Sequence, residues 1–220
     1  MAGEMTATGS WSRARRFLLA KNTPRYWVLG LLIFVVPMIL TVLLQDLVKE
    51  SPLGVVVERA LEGVRERARS VEGFENALAR IAATFALILA NNVLVALVMA
   101  LTSVTVVVPI AVIAFNGVLT GYVIGTIVGE PPAGPEGQLL ARDVSSIGVF
   151  AALTPHGVIE IPALALLAAP LLAINVLGYK EAVKTCFSLV PVVIVLLAVA
   201  ALVESTITLI GLGIVQAITG

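Results

Sequence analysis

Charge is scarce in this sequence, and its scarcity is uneven. Lys, Arg, Asp and Glu make up 13% of the 220 residues against 59% hydrophobic ones, where a soluble domain carries about 25% charged residues. That excludes an ordinary water-soluble fold. Between residues 81 and 129 no Asp, Glu, Lys, Arg or His occurs at all, a run long enough for two bilayer crossings of roughly 20 residues each. Cysteine is nearly absent too. Cys186 stands alone, which excludes an internal disulfide and a cysteine metal knuckle. The net charge is zero, so there is no basic footprint for a nucleic-acid partner. With one histidine, His156, no polyhistidine metal centre can form within the chain.

What remains is apolar sequence divided by short charged stretches. Arg13, Arg15, Arg16, Lys21 and Arg25 precede the first apolar run, and 26–44 contains no charge. No small-residue cleavage site follows that run, so it reads as a retained span rather than a signal peptide. The expected organisation is a basic cytoplasmic segment over 1–25, a first transmembrane helix over 26–45, an extracytoplasmic amphipathic helix over 46–78 and a helical membrane core over 79–220. Further spans are expected near 79–101, 105–128, 147–177 and 186–210, giving an all-α polytopic protein of about five crossings. The N-terminus is placed in the cytoplasm of the plasma membrane by the positive-inside rule. Lys180 and Lys184, in a loop returning to the same side, agree with that. The stretch 187–220 is long for one perpendicular crossing, so a re-entrant sixth segment is the alternative.

Two packing patterns stand out. Val57, Leu61, Val64, Ala68, Val71 and Leu78 form an apolar seam at helical spacing. Charges of both signs cover the other faces, which reads as a solvated surface or a docking face for a second copy or an extracytoplasmic partner. Gly117, Gly121, Gly125 and Gly129 recur every four residues, a stripe that lets another backbone approach closely. Its partner is expected within the chain, with a homodimer contact as the alternative, and the protein as a whole is expected to be a homo-oligomer, in the simplest case a dimer.

The polar residues within the apolar runs are few. Asn91, Asn92 and Asn116 fall near the middle of their spans by the 1.5 Å rise per residue, as lining or packing groups; an interhelical amide bond is the plain expectation for Asn116. Thr154-Pro155 resembles an N-cap followed by proline at the first helical position. A break there would start a half-helix carrying His156 and Glu160, four apart and on one face. Glu204, on the last span, is expected at similar depth. Ionisable groups at membrane depth cost about 2.5–3.5 kcal/mol each on insertion scales, so these three are expected to pair.

The elements Asn91-Asn92, Phe115-Asn116-Gly117 with Gly121, Pro155-His156-Gly157-Val158-Ile159-Glu160-Ile161-Pro162-Ala163, and Ala200-Ala201-Leu202-Val203-Glu204 followed by Ile207-Thr208 resemble the stage II sporulation protein M family of integral membrane proteins. Thr154, Pro170 and Leu209 depart from its pattern. The resemblance implies a multi-spanning scaffold that works with membrane-anchored peptidoglycan-degrading proteins during engulfment.

Three functions are compatible with these residues. A non-enzymatic scaffold or complex subunit for envelope remodelling is the leading expectation, with His156, Glu160 and Glu204 as a closed cluster that docks spans four and five. The alternative is a transporter or channel for an ion, proton or small solute, in which the same cluster lies open to water. A membrane metalloenzyme would use one imidazole and two carboxylates as an open divalent-metal site, but no HExxH element or separate general base supports it. No cofactor other than such a metal is expected.

Overall fold

A backbone inside lipid has to close its own hydrogen bonds, and helices do so within one segment. The computed structural model describes residues 7–72, 76–129 and 146–219, with side-chain surroundings described for these apart from 7–9, 64–65, 68–72, 77, 127–129, 146–156, 158 and 207–219. Every element among the described residues is helical. In chain order they are α1 (Ala7–Leu18), α2 (Thr23–Leu43), α3 (Gln45–Lys49), α4 (Pro52–Glu72), α5 (Ala77–Leu101), a 3₁₀ turn (Ser103–Thr105), α6 (Val107–Gly129), α7 (Ser146–Leu172), α8 (Ile174–Leu177) and α9 (Tyr179–Thr219).

Four of these are long and apolar enough to cross a bilayer: Thr23–Leu43, Leu78–Leu101, Val107–Thr126 and Tyr179–Thr206. The expected fourth span coincides with α7, 27 residues long, or about 40 Å at the helical rise. Its apolar stretch with described side chains is the shorter Ile159–Leu172. That stretch occupies the centre of the bundle. Ala163, Leu164, Ala165, Leu167, Ala168, Ala169 and Leu171 are all buried, as expected of a helix that is apolar on every side. Around it, α2 packs against α6 and α7, and α9 against α7 and α5. Outward faces carry Leu29, Leu32, Val36, Leu94, Leu97, Val195 and Val199, all exposed, the surface a lipid environment suits.

Local chemistry explains several boundaries. Asn76 opens α5 by accepting a hydrogen bond from the Leu78 backbone N–H at 2.8 Å, the N-cap arrangement. Ser51 accepts one from Gly54 N–H at 3.3 Å ahead of α4, with Pro52 as that helix's first residue. Between α8 and α9, Gly178 adopts φ +75°, a conformation that costs glycine little.

Gly117 and Gly121 lie against α2. A Cβ at Gly117 would collide with the Phe34 carbonyl oxygen, and one at Gly121 with that of Met38; at Gly125 it would stand 2.9 Å from the Gln45 side chain. The stripe is thus used inside the chain over these three positions. The surroundings of Gly129 lie outside the described residues.

At one end of the bundle α1 packs on the start of α9. The Arg13 Nε donates to Glu181 Oε1 at 2.8 Å, and the Tyr179 hydroxyl donates to the Val104 carbonyl in the 3₁₀ turn. The N-terminal helix, the α5–α6 turn and the α8–α9 junction therefore share an end. With side chains 24% and 45% exposed, the Arg13–Glu181 pair is worth under about 1 kcal/mol. Arg13→Gln should lower the melting temperature only slightly at low salt and not at all at high salt, as read by circular dichroism of the purified protein.

Three expectations need correction. The helix runs without interruption from Ser146 to Leu172, so there is no break at Thr154-Pro155 and neither residue starts a half-helix. Spanning helices tolerate the hydrogen bond a proline removes, because neighbouring groups re-satisfy the carbonyl. The re-entrant sixth segment is also absent among the described residues, since α9 continues as one helix of 41 residues. Its length, about 60 Å, exceeds the roughly 30 Å hydrocarbon core without reversing direction. Third, Leu78 does not belong to the α4 seam. It lies in α5 and is 72% exposed. Val57 keeps the expected role, fully buried. The α4 helix itself packs over α5 and α6, with Glu58, Arg59, Glu62, Glu66 and Arg67 exposed.

Candidate functional site

Asn91 lies 14 residues after Ala77 and 10 before Leu101, about 21 Å and 15 Å along α5. Here α5, α6, α7 and α9 leave an open-sided cavity of about 310 Å³, with α4 along one side. Apolar Leu61, Leu87, Ile88, Leu119 and Val123 line it together with Arg67, Asn91, Asn92, Asn116, Thr120, Glu160 and Glu204. Seven polar side chains thus converge in a region whose helices are otherwise apolar.

The deepest interaction joins α5 to α7. The Asn92 Nδ2 donates to Glu160 Oε2 at 2.8 Å, with the amide residue 3% and the carboxylate residue 8% exposed. A carboxylate taken out of water needs hydrogen-bond donors, and Asn92 supplies one from a helix 68 positions away in sequence. Asn91, one residue earlier, points to a different partner because successive helical residues are turned by about 100°. Its Oδ1 accepts from the Arg67 guanidinium at 3.4 Å. Arg67 also donates through Nε to the Gly63 carbonyl, 2.9 Å away on its own helix.

Asn116 behaves differently from the expectation of an interhelical bond. Its Nδ2 donates to the Val112 carbonyl of α6 at 2.9 Å, leaving the residue as cavity lining. Thr120, one turn further, donates likewise to the Asn116 carbonyl at 2.9 Å. Helical carbonyls take up these donors, so neither group is an unsatisfied polar atom in the bundle. Above them, the Tyr122 hydroxyl donates to Glu58 Oε1 at 2.7 Å and Gln45 Nε2 to Thr126 Oγ1 at 3.2 Å. These bonds tie α4 and α3 to α6.

Of the three ionisable residues singled out in the sequence, Glu160 and Glu204 line the one cavity. His156 occupies the α7 position one turn before Glu160, and its side chain lies outside the described residues. Among the described residues no three His, Cys, Asp or Glu side chains converge closely enough to hold a metal ion. A site requiring His156 falls outside that statement.

Arg67 is the cavity residue the sequence does not point to. It stands among alternating charges that read as a solvated face. A signal exists, though a weak one: Arg67 follows Val64 by three and so flanks the apolar seam. A long side chain beside a seam can reach the rim of a polar cavity while staying exposed, as Arg67 does.

Chemically, the arrangement offers two carboxylates, a guanidinium, three amides and a hydroxyl, with apolar walls between them. Small-ligand pockets run from about 300 Å³ upward and combine mostly apolar walls with a few placed polar groups. The cavity is at the lower edge of that range. At about 30 Å³ per water molecule it has room for roughly ten.

These features define a polytopic helical membrane protein with a polar cavity between its spans. The sequence profile described as "Stage II sporulation protein M" matches residues 53–209. The chain belongs to that family. No curated protein and no solved structure matches it. The matched stretch begins in α4 and contains every residue lining the cavity, whereas α2, against which the α6 glycines pack, lies before it.

Proposed function

We propose that this chain is a membrane conduit, a transporter or channel that passes an ion, proton or small solute through the cavity bounded by α4, α5, α6, α7 and α9. One observation carries the reading: Glu160 and Glu204 line a cavity with room for water and a small molecule. A cluster serving only to dock helices would be expected to close on itself, since open polar space at membrane depth costs packing and desolvation without return. Intramembrane carboxylates facing a cavity are typical of substrate and ion pathways.

The path is proposed to lie within one chain. The glycine stripe that could have served a subunit interface is taken up by α2 at Gly117 and Gly121. Homo-oligomers of such single-chain conduits are compatible with this, as is a plasma-membrane orientation with the α1 end in the cytoplasm. Neither scheme assigns the chain an enzymatic reaction or a metal.

A scaffold role is the second reading. It is supported by the exposed face of α4 with Arg59, Glu62 and Glu66, where an extracytoplasmic partner could dock. Flux separates the two. In proteoliposomes, the wild type is expected to release protons, monovalent cations or small solutes faster than empty vesicles, and Glu160→Gln to lower that rate at least about tenfold, the usual scale for losing one charged ligand. A wild type indistinguishable from empty vesicles across that panel sinks the conduit and leaves the scaffold.

A further inference from the structure

The zero net charge of the chain hides a separation of charge between the two ends of the bundle. The segments 7–25, 101–107 and 174–187 belong to the end where α1, the α5–α6 turn and the α8–α9 junction meet. With residues 1–6 counted alongside them, they hold seven bases and only two acids, Glu4 and Glu181. Glu181 is taken by Arg13 at 2.8 Å. Setting Glu4 against one further base still leaves five positive charges in excess. Arg15, Arg16, Lys21, Arg25, Lys180 and Lys184 are all exposed. Of the 14 acids and 14 bases in the chain, the other twelve acids and seven bases lie elsewhere, so the positive excess belongs to this end alone.

We infer that this end of the bundle is a binding surface for acidic phospholipids, with α1 as its main contact. It holds whether or not anything passes through the cavity. Charge complementarity is the first ground: each base held near an acidic leaflet strengthens the attraction about fivefold. Position is the second. Arg25 stands in the first turn of α2 and Lys180 in the first turn of α9, and both helices are long and apolar enough to span, so these bases stand where the chain enters hydrocarbon. The third ground is the apolar surface between the bases. Trp11 is 60% and Leu19 74% exposed, and the uncharged α5–α6 turn exposes Leu101, Val104 and Val107. On α1, Ala14 and Phe17 are buried in the core, whereas Trp11, Arg15, Arg16 and Leu19 are exposed. A short helix that shows tryptophan and leucine beside arginines suits the boundary between headgroups and acyl chains. A free anion would satisfy the bases and leave these apolar side chains facing water. A phospholipid, with its charge above its chains, covers both.

The test is native mass spectrometry of the full chain in detergent micelles, titrated with phosphatidylglycerol and with phosphatidylcholine of the same acyl chains. Phosphatidylglycerol is expected to bind at least about fivefold more tightly, the scale of one base near an acidic headgroup. That preference should fade as the buffer salt rises from about 50 to about 500 mM, because exposed charges are screened over that range. Arg15→Gln with Arg16→Gln should remove most of it, and so should Lys180→Gln with Lys184→Gln. Arg15→Lys with Arg16→Lys, which keeps both charges, should stay within about twofold of the wild type. Lys49→Gln with Arg59→Gln removes two bases from α3 and α4, beyond the far end of α2, and should also stay within about twofold. Equal binding of the two lipids by wild type overturns the inference. So does an unchanged preference in both end-surface pairs, provided that their helical circular dichroism is intact, since the acidic lipid is then held elsewhere. An equal loss in the α3–α4 pair means that only the overall charge matters and overturns it as well. Displacement of phosphatidylglycerol by an equal concentration of glycerol phosphate makes the surface a site for free anions, which also ends the lipid assignment.

Discussion

Asn92→Leu is expected to destabilise the purified protein by about 1.5 kcal/mol, and Asn92→Leu combined with Glu160→Leu by clearly less than the sum of the two single changes. Hydrogen bonds between spanning helices average only about 0.6 kcal/mol, with a maximum near 1.7. Those averages include neutral pairs with shared access to water. Here the acceptor is a carboxylate, the distance is 2.8 Å and both residues are buried, which argues for the upper end because bonds to charged groups are roughly twice as strong. Removing the amide alone takes from Glu160 a donor held at hydrogen-bond distance, which costs more than replacing both partners by apolar groups. Removing both members replaces a polar contact by an apolar one between α5 and α7, a change that is often near neutral. The check is a double-mutant cycle from melting curves in one detergent. A coupling energy within about 0.3 kcal/mol of zero, the additivity range of independent sites, means that the bond does not hold these helices together.

That bond also marks the limit of what could be read from the residues alone. The spans were legible because lipid removes the alternative: a run of 49 uncharged residues over 81–129 has no soluble structure to adopt. Glu160 and Glu204 were legible as unusual for the same reason, since a charge in an apolar run requires an explanation. Their partners were not. Asn92 and Glu160 are 68 positions apart, and no periodicity links them; only the packing of α5 on α7 does. Helical spacing failed in a different way for α4. It separates apolar from polar faces correctly, as Val57 shows, but it treats every polar face as wet by solvent. When the interior itself is polar, a residue such as Arg67 at the margin of the seam can belong to either side. The Thr154-Pro155 pattern misled because the same residue pair that opens a helix in water can lie inside one in a bundle, where neighbours take over the freed carbonyl. The role of α7 as central helix was hidden by its composition, since Ile159–Leu172 looks like any other lipid-spanning stretch until its neighbours are known.

Four of the helical glycines, at positions 63, 117, 121 and 125, should respond to alanine in a definite order that tests the α2–α6 contact directly. Gly121→Ala and Gly117→Ala place a methyl group on the carbonyl oxygens of Met38 and Phe34. Backbone cannot rotate aside as a side chain can, so α2 must shift away from α6, and overpacking of this kind costs about 1–3 kcal/mol. Gly125→Ala meets the Gln45 side chain at 2.9 Å, whose Nε2 is bonded to Thr126. A flexible side chain can yield at the expense of that one bond, so about 0.5–1.5 kcal/mol is expected, the net worth of a typical hydrogen bond. Gly63 has nothing within 4 Å of a Cβ, and Gly63→Ala should stabilise α4 by about 0.5–1 kcal/mol, the helix-propensity difference between the residues. Loss of one favourable packing face thus appears as destabilisation at 117 and 121, a smaller loss at 125 and a gain at 63. Leucine at 121 exaggerates the first effect and should reduce the yield of folded monomer, read by size exclusion in detergent. Equal melting temperatures for the alanine variants at 121 and 63 would mean that α2 and α6 do not approach as closely as these glycines allow.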